Sequence, residues 1–382
     1  TTSSVLPEGK SIVDNKSMYW SLSKNNLLYF YVNDIPRIAP KDTLTASEKV
    51  NLDIWHYGEP TLKTTQLARL KRDLKNADLY AFNFATNQIY LLANDTLSLQ
   101  SDHKELNEWV LASNNTNYKL SSMWDYNSIE DVYKLNLKTG EKSLIRTNMN
   151  GAIDLSRKGD MLISFNEKKG QYYALDLNTN IEKCITCDAK GRNWVNDVNG
   201  MPMDPNPVQA FGFDQSGTRY YMADETDVFE YDFTKGILNN LSDNRGKKEN
   251  KEFRFLALSS DSSFVDLSRT ALKVFDKKTK GNEIYEWIDG AFEKTNVADA
   301  QIVYFNTSKD GSVKLLRKNT VAEYANLQIA VNGGEWKQIS TANTFKSEYK
   351  WATVDLIKWK SYKGLELEGL VYKPEDYDPA KS

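Results

Sequence analysis

Cysteine occurs twice in this 382-residue chain, as Cys184 and Cys187 in Lys-Cys-Ile-Thr-Cys-Asp. A C-x-x-C spacing serves either dithiol–disulfide chemistry or one half of a zinc site. Zinc normally takes four ligands, and the only histidines, His56 and His103, have no ligand spacing to the pair. A redox pair belongs near the start of a helix in a βαβ context, where the helix dipole lowers the thiol pKa. These cysteines instead close a strand-rich repeat. They are read as incidental, and no metal ligand is assigned.

Nucleophilic chemistry is as sparsely provided. A serine nucleophile on an α/β-hydrolase sits in a G-x-S-x-G elbow, beside a histidine oriented by an acid. No pair of glycines here brackets a serine in that way. His56, between Trp55 and Tyr57, reads as a half-buried histidine packed among aromatics, and His103 as an exposed loop residue. No catalytic residue is assigned. The acidic pairs Glu130-Asp131 and Asp224-Glu225 fall near turns, as solvated tips would. A D-x-D-x-D-G calcium loop and a glycine-rich phosphate loop are both missing from the sequence, so no cofactor is expected.

Composition bounds the rest. Forty per cent hydrophobic and 12 per cent aromatic residues supply a core, with an ordinary 26 per cent charged. Forty-nine basic against 52 acidic residues leave a net charge of −3, with no bulk attraction to nucleic acid or anionic lipid. No apolar run reaches the length of a membrane span.

The elements that would hold a site are strands. Apolar–polar alternation, broken at T-N, T-G, T-K-G or N-G-G turns, predicts hairpins over Tyr80–Leu92, Val132–Ile145, Tyr172–Ile185 and Val228–Leu241. Two weaker copies span Leu272–Trp287 and Leu327–Ile339. A preceding turn-plus-strand unit recurs at Leu22–Val32, Leu155–Phe165, Phe213–Ala223, Leu258–Leu267 and Asn306–Leu316, with a degenerate copy at Leu111–Leu120. Four strands every roughly 40–55 residues is the period of a β-propeller blade. The expected fold is all-β, a propeller of about seven four-stranded blades.

Two stretches break the rhythm. Residues 35–76 carry Pro36, Pro40 and Pro60, and Leu67, Leu70 and Leu74 share one face of a helical pattern. Residues 191–207, GRNWVNDVNGMPMDPNP, form an irregular loop of a length that is usually functional or disordered. The charged stretch Asp243–Glu252 reads as a solvated turn.

Near the C-terminal end, Leu356–Trp359 and Leu365–Tyr372 read as a hairpin that Pro374 stops. This stretch resembles the first strand pair of the catalytic domain in prolyl-oligopeptidase-family serine peptidases, (I/V)-x-(W/F)-x-S-x-D-G-x-x-L-x-G-x-L-Y-x-P. The matching residues are Ile357, Trp359, Ser361, Gly364, Leu367, Gly369, Tyr372 and Pro374; Lys363 replaces the usual Asp and Val371 the usual Leu. A second segment, Leu52-Asp53-Ile54-Trp55-His56-Tyr57-Gly58-Glu59-Pro60 followed by Gln66, resembles one in long bacterial members of the family. There it leads through a short helical turn into a hairpin, and that reading is preferred here to the helix. In dipeptidyl-peptidase relatives a Glu-Glu pair near this place holds the substrate amine, so the resemblance implies a substrate-binding role for the single Glu59.

The resemblance implies a TolB-like or prolyl-oligopeptidase-type propeller over residues 1–351, with an open count of blades before Thr1. Residues 352–382 would be a linker and the first hairpin of an α/β-hydrolase domain lying beyond this chain. That domain would bring the Ser, Asp and His, and the propeller would gate and position peptide substrates. The chain alone is expected to be inactive. Its expected partners are that domain, peptides and a second copy of itself, in a periplasmic or secreted setting. The alternative is a stand-alone TolB-like propeller binding a protein or glycan. A lyase- or lactonase-type propeller with a channel metal is disfavoured, because two histidines are too few.

Overall fold

The computed structural model describes residues 6–14, 16–21, 26–34, 45, 48, 50, 52, 54–100, 108–125, 129–257, 264–298, 300–308 and 310–381. Its strands form six antiparallel sheets of propeller-blade type and one separate hairpin. The first sheet holds β1 (Lys10–Ile12), β2 (Tyr19–Trp20), β3 (Leu27–Asp34), β4 (Asp78–Asn83) and β5 (Gln88–Ala93); β1 and β2 lie end to end along β3. The second is β6 (Ser98–Leu99), β7 (Trp109–Asn114), β8 (Glu130–Asn136) and β9 (Lys142–Met149). The third is β10 (Ala152–Leu155), β11 (Met161–Asn166), β12 (Gln171–Asp176) and β13 (Ile181–Cys184). The fourth is β14 (Gln209–Phe213), β15 (Arg219–Ala223), β16 (Val228–Asp232) and β17 (Ile237–Asn240). The fifth is β18 (Lys251–Ala257), β19 (Thr270–Asp276), β20 (Asn282–Ile288) and β21 (Ala291–Ala298). The sixth is β22 (Gln301–Thr307), β23 (Val313–Asn319), β24 (Asn326–Val331) and β25 (Lys337–Gln338). In each of the last five, the strands lie in the sheet in chain order.

Local chemistry explains why this pattern repeats. At the turn into the fourth strand, one Asn or Asp side chain accepts the N–H groups two and three residues on. Asn136 takes Lys138 and Thr139, Asp176 takes Asn178 and Thr179, Asp232 takes Thr234 and Lys235, and Asp276 takes Lys278 and Thr279. Asn83 does the same in the first sheet. The chain then needs a left-handed residue, supplied by Asn87, Gly140, Asn180, Gly236 and Lys280. A hydroxyl closes the far end of the third strand in three sheets. Thr186 Oγ1 accepts Tyr172 N–H, Ser242 Oγ accepts Val228 N–H, and Ser340 Oγ accepts Leu327 N–H.

The chain divides into two compact units, Thr1–Glu225 with Glu230–Asn239 and Asp261–Val265, and Thr226–Phe229 with Asn240–Ser260 and Asp266–Ser382. In the first unit, Leu27, Tyr29, Leu79 and Ala81 pack against Val110, Ala112, Leu135 and Leu137, joining the first sheet to the second. Leu111 and Val132 pack against Leu155, Leu162 and Leu175, joining the second to the third. In the second unit, Ala271 and Ile284 meet Ile302, Phe305 and Leu316 between the fifth and sixth sheets. A four-stranded sheet has two faces to cover, and stacking on its neighbours covers them.

Several sequence expectations change. Residues Lys63–Asp73 form a helix, α1, in place of the expected hairpin. Lys63-Thr-Thr-Gln-Leu-Ala-Arg-Leu-Lys-Arg-Asp has mostly good helix formers, and nothing in it demands the positive φ of a hairpin turn. Leu67, Leu70 and Leu74 are nonetheless all exposed. His56 is exposed, its ring 4.7 Å from that of Tyr57, because Trp55 and Tyr57 are exposed themselves. His103 and the Leu258–Ser263 part of the expected turn-plus-strand unit Leu258–Leu267 lie outside the described residues. The charged stretch after Asp243 holds the short helix α2 (Arg245–Glu249), fastened from inside: buried Asp227 accepts Ser242 Oγ–H at 2.6 Å and Gly246 N–H at 2.9 Å. The two acidic pairs are not solvated tips either. Asp131 is buried and accepts from the Tyr118 hydroxyl, while Asp224 is buried and paired with Arg192 at 3.1 Å.

The last two strands, β26 (Ala352–Lys360) and β27 (Glu366–Pro374), form the expected hairpin as a sheet of their own, in register from Ala352↔Pro374 to Lys360↔Glu366. Its turn runs through Gly364 at φ 79°.

Candidate functional site

Two adjoining cavities of about 340 and 290 Å³ open in the first unit, both bordered by Asn148, Asn150, Phe165 and Asn166. Their walls come from separate elements. The end of β9 and the turn after it give Arg146 and the two asparagines. The turn from β11 to β12 gives Asn166, Glu167 and Lys169, and β13 gives Glu182. Asp204, from the long loop after the third sheet, closes one side.

The backbone at this place is held in an uncommon conformation. Asn148 has φ 51°, and its N–H donates to the Tyr118 hydroxyl at 3.0 Å and to Asp131 Oδ1 at 3.2 Å. The Tyr118 hydroxyl donates to the same carboxylate at 2.7 Å, which holds the phenol above its ordinary pKa. Gly151 is required next: a Cβ there would lie 2.0 Å from the Phe165 carbonyl oxygen, whose own N–H donates to Gly151 O at 2.8 Å. Asn148 is thus held by two side chains of the second sheet's region, and Gly151, next to Asn150, by a main-chain bond from Phe165 near the end of β11.

The site's polar groups are mixed. Arg146 pairs with Glu182 at 2.8 Å, and Lys169 lies over the Tyr173 ring at 5.5 Å. Burial raises the Glu167 carboxyl pKa; the Asn150 amide donating at 2.5 Å lowers it, and nearby Asp204 raises it further. Amide donors and acceptors, one guanidinium and two close carboxylates suit the binding of a polar, many-hydroxyl or amide-bearing ligand. Ser164 borders the larger of the two cavities, and no histidine is among the described residues that line either one.

The loop 191–207, singled out by its length, is well anchored at its base. Trp194 is buried edge-on to Tyr172 at 6.0 Å, Val195 bridges to Pro207, and Glu225 N–H donates to Asn193 O. Glu59 follows the Tyr57–Gly58 turn into α1, half-buried, and borders neither cavity. Its N–H donates to His56 O at 3.1 Å. Asp53 lies outside the described residues. Cys184 and Cys187 are joined as a disulfide, which corrects their reading as incidental. The turn through Ile185 and Thr186, both buried, brings the two Cα atoms to 5.7 Å.

The hairpin β26–β27 is a second candidate, as an interaction surface. Ile357, Trp359, Leu365, Leu367, Leu370 and Tyr372 are all exposed, Leu365 at 62 per cent. Glu368 ties it to the fifth sheet through Lys280 at 2.5 Å; this bond and the one from Lys358 bring its carboxyl down to about 2.

No family model matches this chain, and no curated protein matches it. Solved structures with similar folds include a prolyl endopeptidase, at 9 per cent identity and TM-score 0.47, matched over 97 per cent of this chain and 48 per cent of that one. Dipeptidyl peptidase 4 of Porphyromonas gingivalis aligns at 12 per cent identity and TM-score 0.49, over 79 per cent of this chain and 48 per cent of that one. TolB of Acinetobacter baumannii aligns at 14 per cent and TM-score 0.33, over 68 per cent of this chain and 58 per cent of that one. The chain spans about half the length of the two peptidases it resembles.

Proposed function

We propose that this chain is the propeller portion of a prolyl-oligopeptidase-like serine peptidase, admitting and positioning peptides for an α/β-hydrolase domain of the same polypeptide. The observation that carries this reading is the β26–β27 hairpin. Its sequence follows the first strand pair of the family's catalytic domain, and it holds six large apolar side chains in water. Full exposure of such a side chain forfeits roughly 1.5–3 kcal/mol, of which these, 38 to 62 per cent exposed, lose a part, and apolar patches of this kind mark interfaces. The catalytic Ser, Asp and His belong to the partner domain, and Glu59 contacts substrate. A disulfide fits an oxidising compartment, periplasmic or extracellular.

The test is the reading frame beyond the Ser382 codon. It should encode G-x-S-x-G, then Asp, then His, and the longer protein should cleave peptides and lose that activity to a serine-reactive probe. A stop codon directly after Ser382 overturns the proposal. The polar cavities beside Asn148 favour a second reading, a propeller that binds a glycan or protein on its own. Titration separates the two: saturable binding of proline-containing peptides supports the first, and saturable binding of oligosaccharides alone supports the second.

A further inference from the structure

The disulfide enters the peptidase reading only as a sign of compartment, and its surroundings are asymmetric. Cys187 is exposed, whereas Cys184, the last residue of β13, is half-buried. The Cys187 N–H donates to Cys184 Sγ at 3.1 Å. Between them Ile185 and Thr186 are buried and fixed to the neighbouring strand. Ile185 N–H donates to Tyr172 O at 2.9 Å, and Thr186 Oγ1 accepts Tyr172 N–H at 3.0 Å while donating to Gln171 at 2.6 Å. The turn is therefore held by its own hydrogen bonds as well as by the sulfur bridge. A ring this short also constrains the unfolded chain less than any longer one would. As a staple the disulfide has little to do.

We propose that Cys184–Cys187 is a thiol–disulfide exchange site for an external thiol or dithiol, with Cys187 the sulfur attacked and Cys184 the leaving group. Exchange needs access for the nucleophile and a stabilised thiolate on departure. Cys187 offers the access. Cys184 already receives an amide N–H, and such a bond favours the thiolate over the thiol. In the first step the donor thiolate forms a bond to Cys187 Sγ. The Cys184–Cys187 bond breaks, and its electron pair leaves on Cys184 Sγ, which then takes a proton from water. In the second step the donor's other thiol, as thiolate, attacks the donor sulfur of the mixed disulfide and releases Cys187. The donor departs as a disulfide, oxidised by two electrons, and the protein holds two thiols. The surrounding hydrogen bonds stay, so the sheet survives reduction.

The test uses the full chain under native conditions. Incubation with reduced glutathione, acid quenching and peptide mass spectrometry should place the mixed disulfide on Cys187. Dithiothreitol should give two free thiols with an unchanged far-ultraviolet circular dichroism spectrum. Adduct on Cys184, or a disulfide that yields only once the protein is unfolded, overturns the proposal. Single variants give an independent measure. At a pH high enough to ionise both thiols, so that access alone differs, Cys187 in Cys184→Ser should react with a fluorogenic thiol probe at least about tenfold faster than Cys184 in Cys187→Ser, and equal rates overturn the assignment.

Discussion

Within one compact unit, two strand pairs of similar length meet opposite fates. In β19 and β20, Ala271, Leu272, Val274, Ile284 and Tyr285 are all buried, while β26 and β27 bury no residue at all. Both pairs are regular antiparallel ladders, and both mix apolar with polar residues. The difference is the neighbour. The fifth sheet lies against the sixth through Ile302, Phe305 and Leu316, and the hairpin has no such layer among the described residues. Alternation specifies which face of a strand seeks cover, and a packed second sheet decides whether it gets it.

The sharpest way to break this contrast is to empty one position on each side. Phe305→Ala should cost about 3–5 kcal/mol in chemical denaturation, and Leu370→Ala no more than about 0.5 kcal/mol. Comparable losses would mean that the hairpin is packed in solution. A smaller effect is expected where the buried layer is polar. Asp227→Ala leaves Gly246 N–H without its acceptor and Ser242 Oγ–H with only Asn240 Oδ1, at about 1–3 kcal/mol, and hydrogen exchange should locate the loss in α2.

Acid–base behaviour sharpens the contrast from a third side. Burial raises the Asp154 carboxyl to about 7, against one lowering N–H donor at Leu155; buried Tyr220 is the titratable group that interacts with it, and Tyr172 interacts in turn with Tyr220. The folded state thus holds a proton that the unfolded chain releases near pH 4, so stability falls as pH rises between those values. Asp154→Asn should remove that slope and leave the variant more stable at pH 8 by on the order of 1–2 kcal/mol, since the residue is only half-buried. A slope that persists in the variant would assign it to another group. The smallest effect belongs to the hairpin itself. Deleting Asp355–Ser382 should shift the unfolding midpoint little and reduce self-association by sedimentation velocity; unfolding on deletion would make the hairpin an integral strand pair.

Much of the fold was legible because five of the six described sheets repeat the same instruction locally. A carboxylate or amide sits two residues before the turn and a left-handed residue follows, so Asp176-Leu-Asn-Thr-Asn and Asp232-Phe-Thr-Lys-Gly could be read without any tertiary information. The helix α1 shows the opposite error. Its leucine spacing was correct, and the analogy preferred over it was not. The cavities were hidden because Arg146, Asn150, Glu167, Glu182 and Asp204 meet only after three elements and a loop have folded. Two faint signals existed, the turn-prone Asn148-Met-Asn-Gly run and the overlong loop that carries Asp204. Glu59 stands apart from both, on the approach to α1.

The turn acceptors differ along the chain in a way that touches how it would fail. The first two sheets use the amides of Asn83 and Asn136, which have no proton to gain. The next three use Asp176, Asp232 and Asp276. The N–H groups of Thr179 and Asn178 hold Asp176 below its ordinary pKa, and the Thr234 hydroxyl leads in doing so for Asp232. Burial alone would raise Asp276, but the Thr279 and Lys278 N–H donors together with the charges of Lys251 and Lys278 outweigh it. A depressed carboxyl gives stability that is complete above its unfolded pKa and lost as pH falls through its folded one. Acidification should therefore weaken the outer turns of the third, fourth and fifth sheets at their acceptors, and that of the second only through Glu108, which Lys138 holds below its ordinary pKa beside Asn136, a difference written in the choice between an amide and an acid.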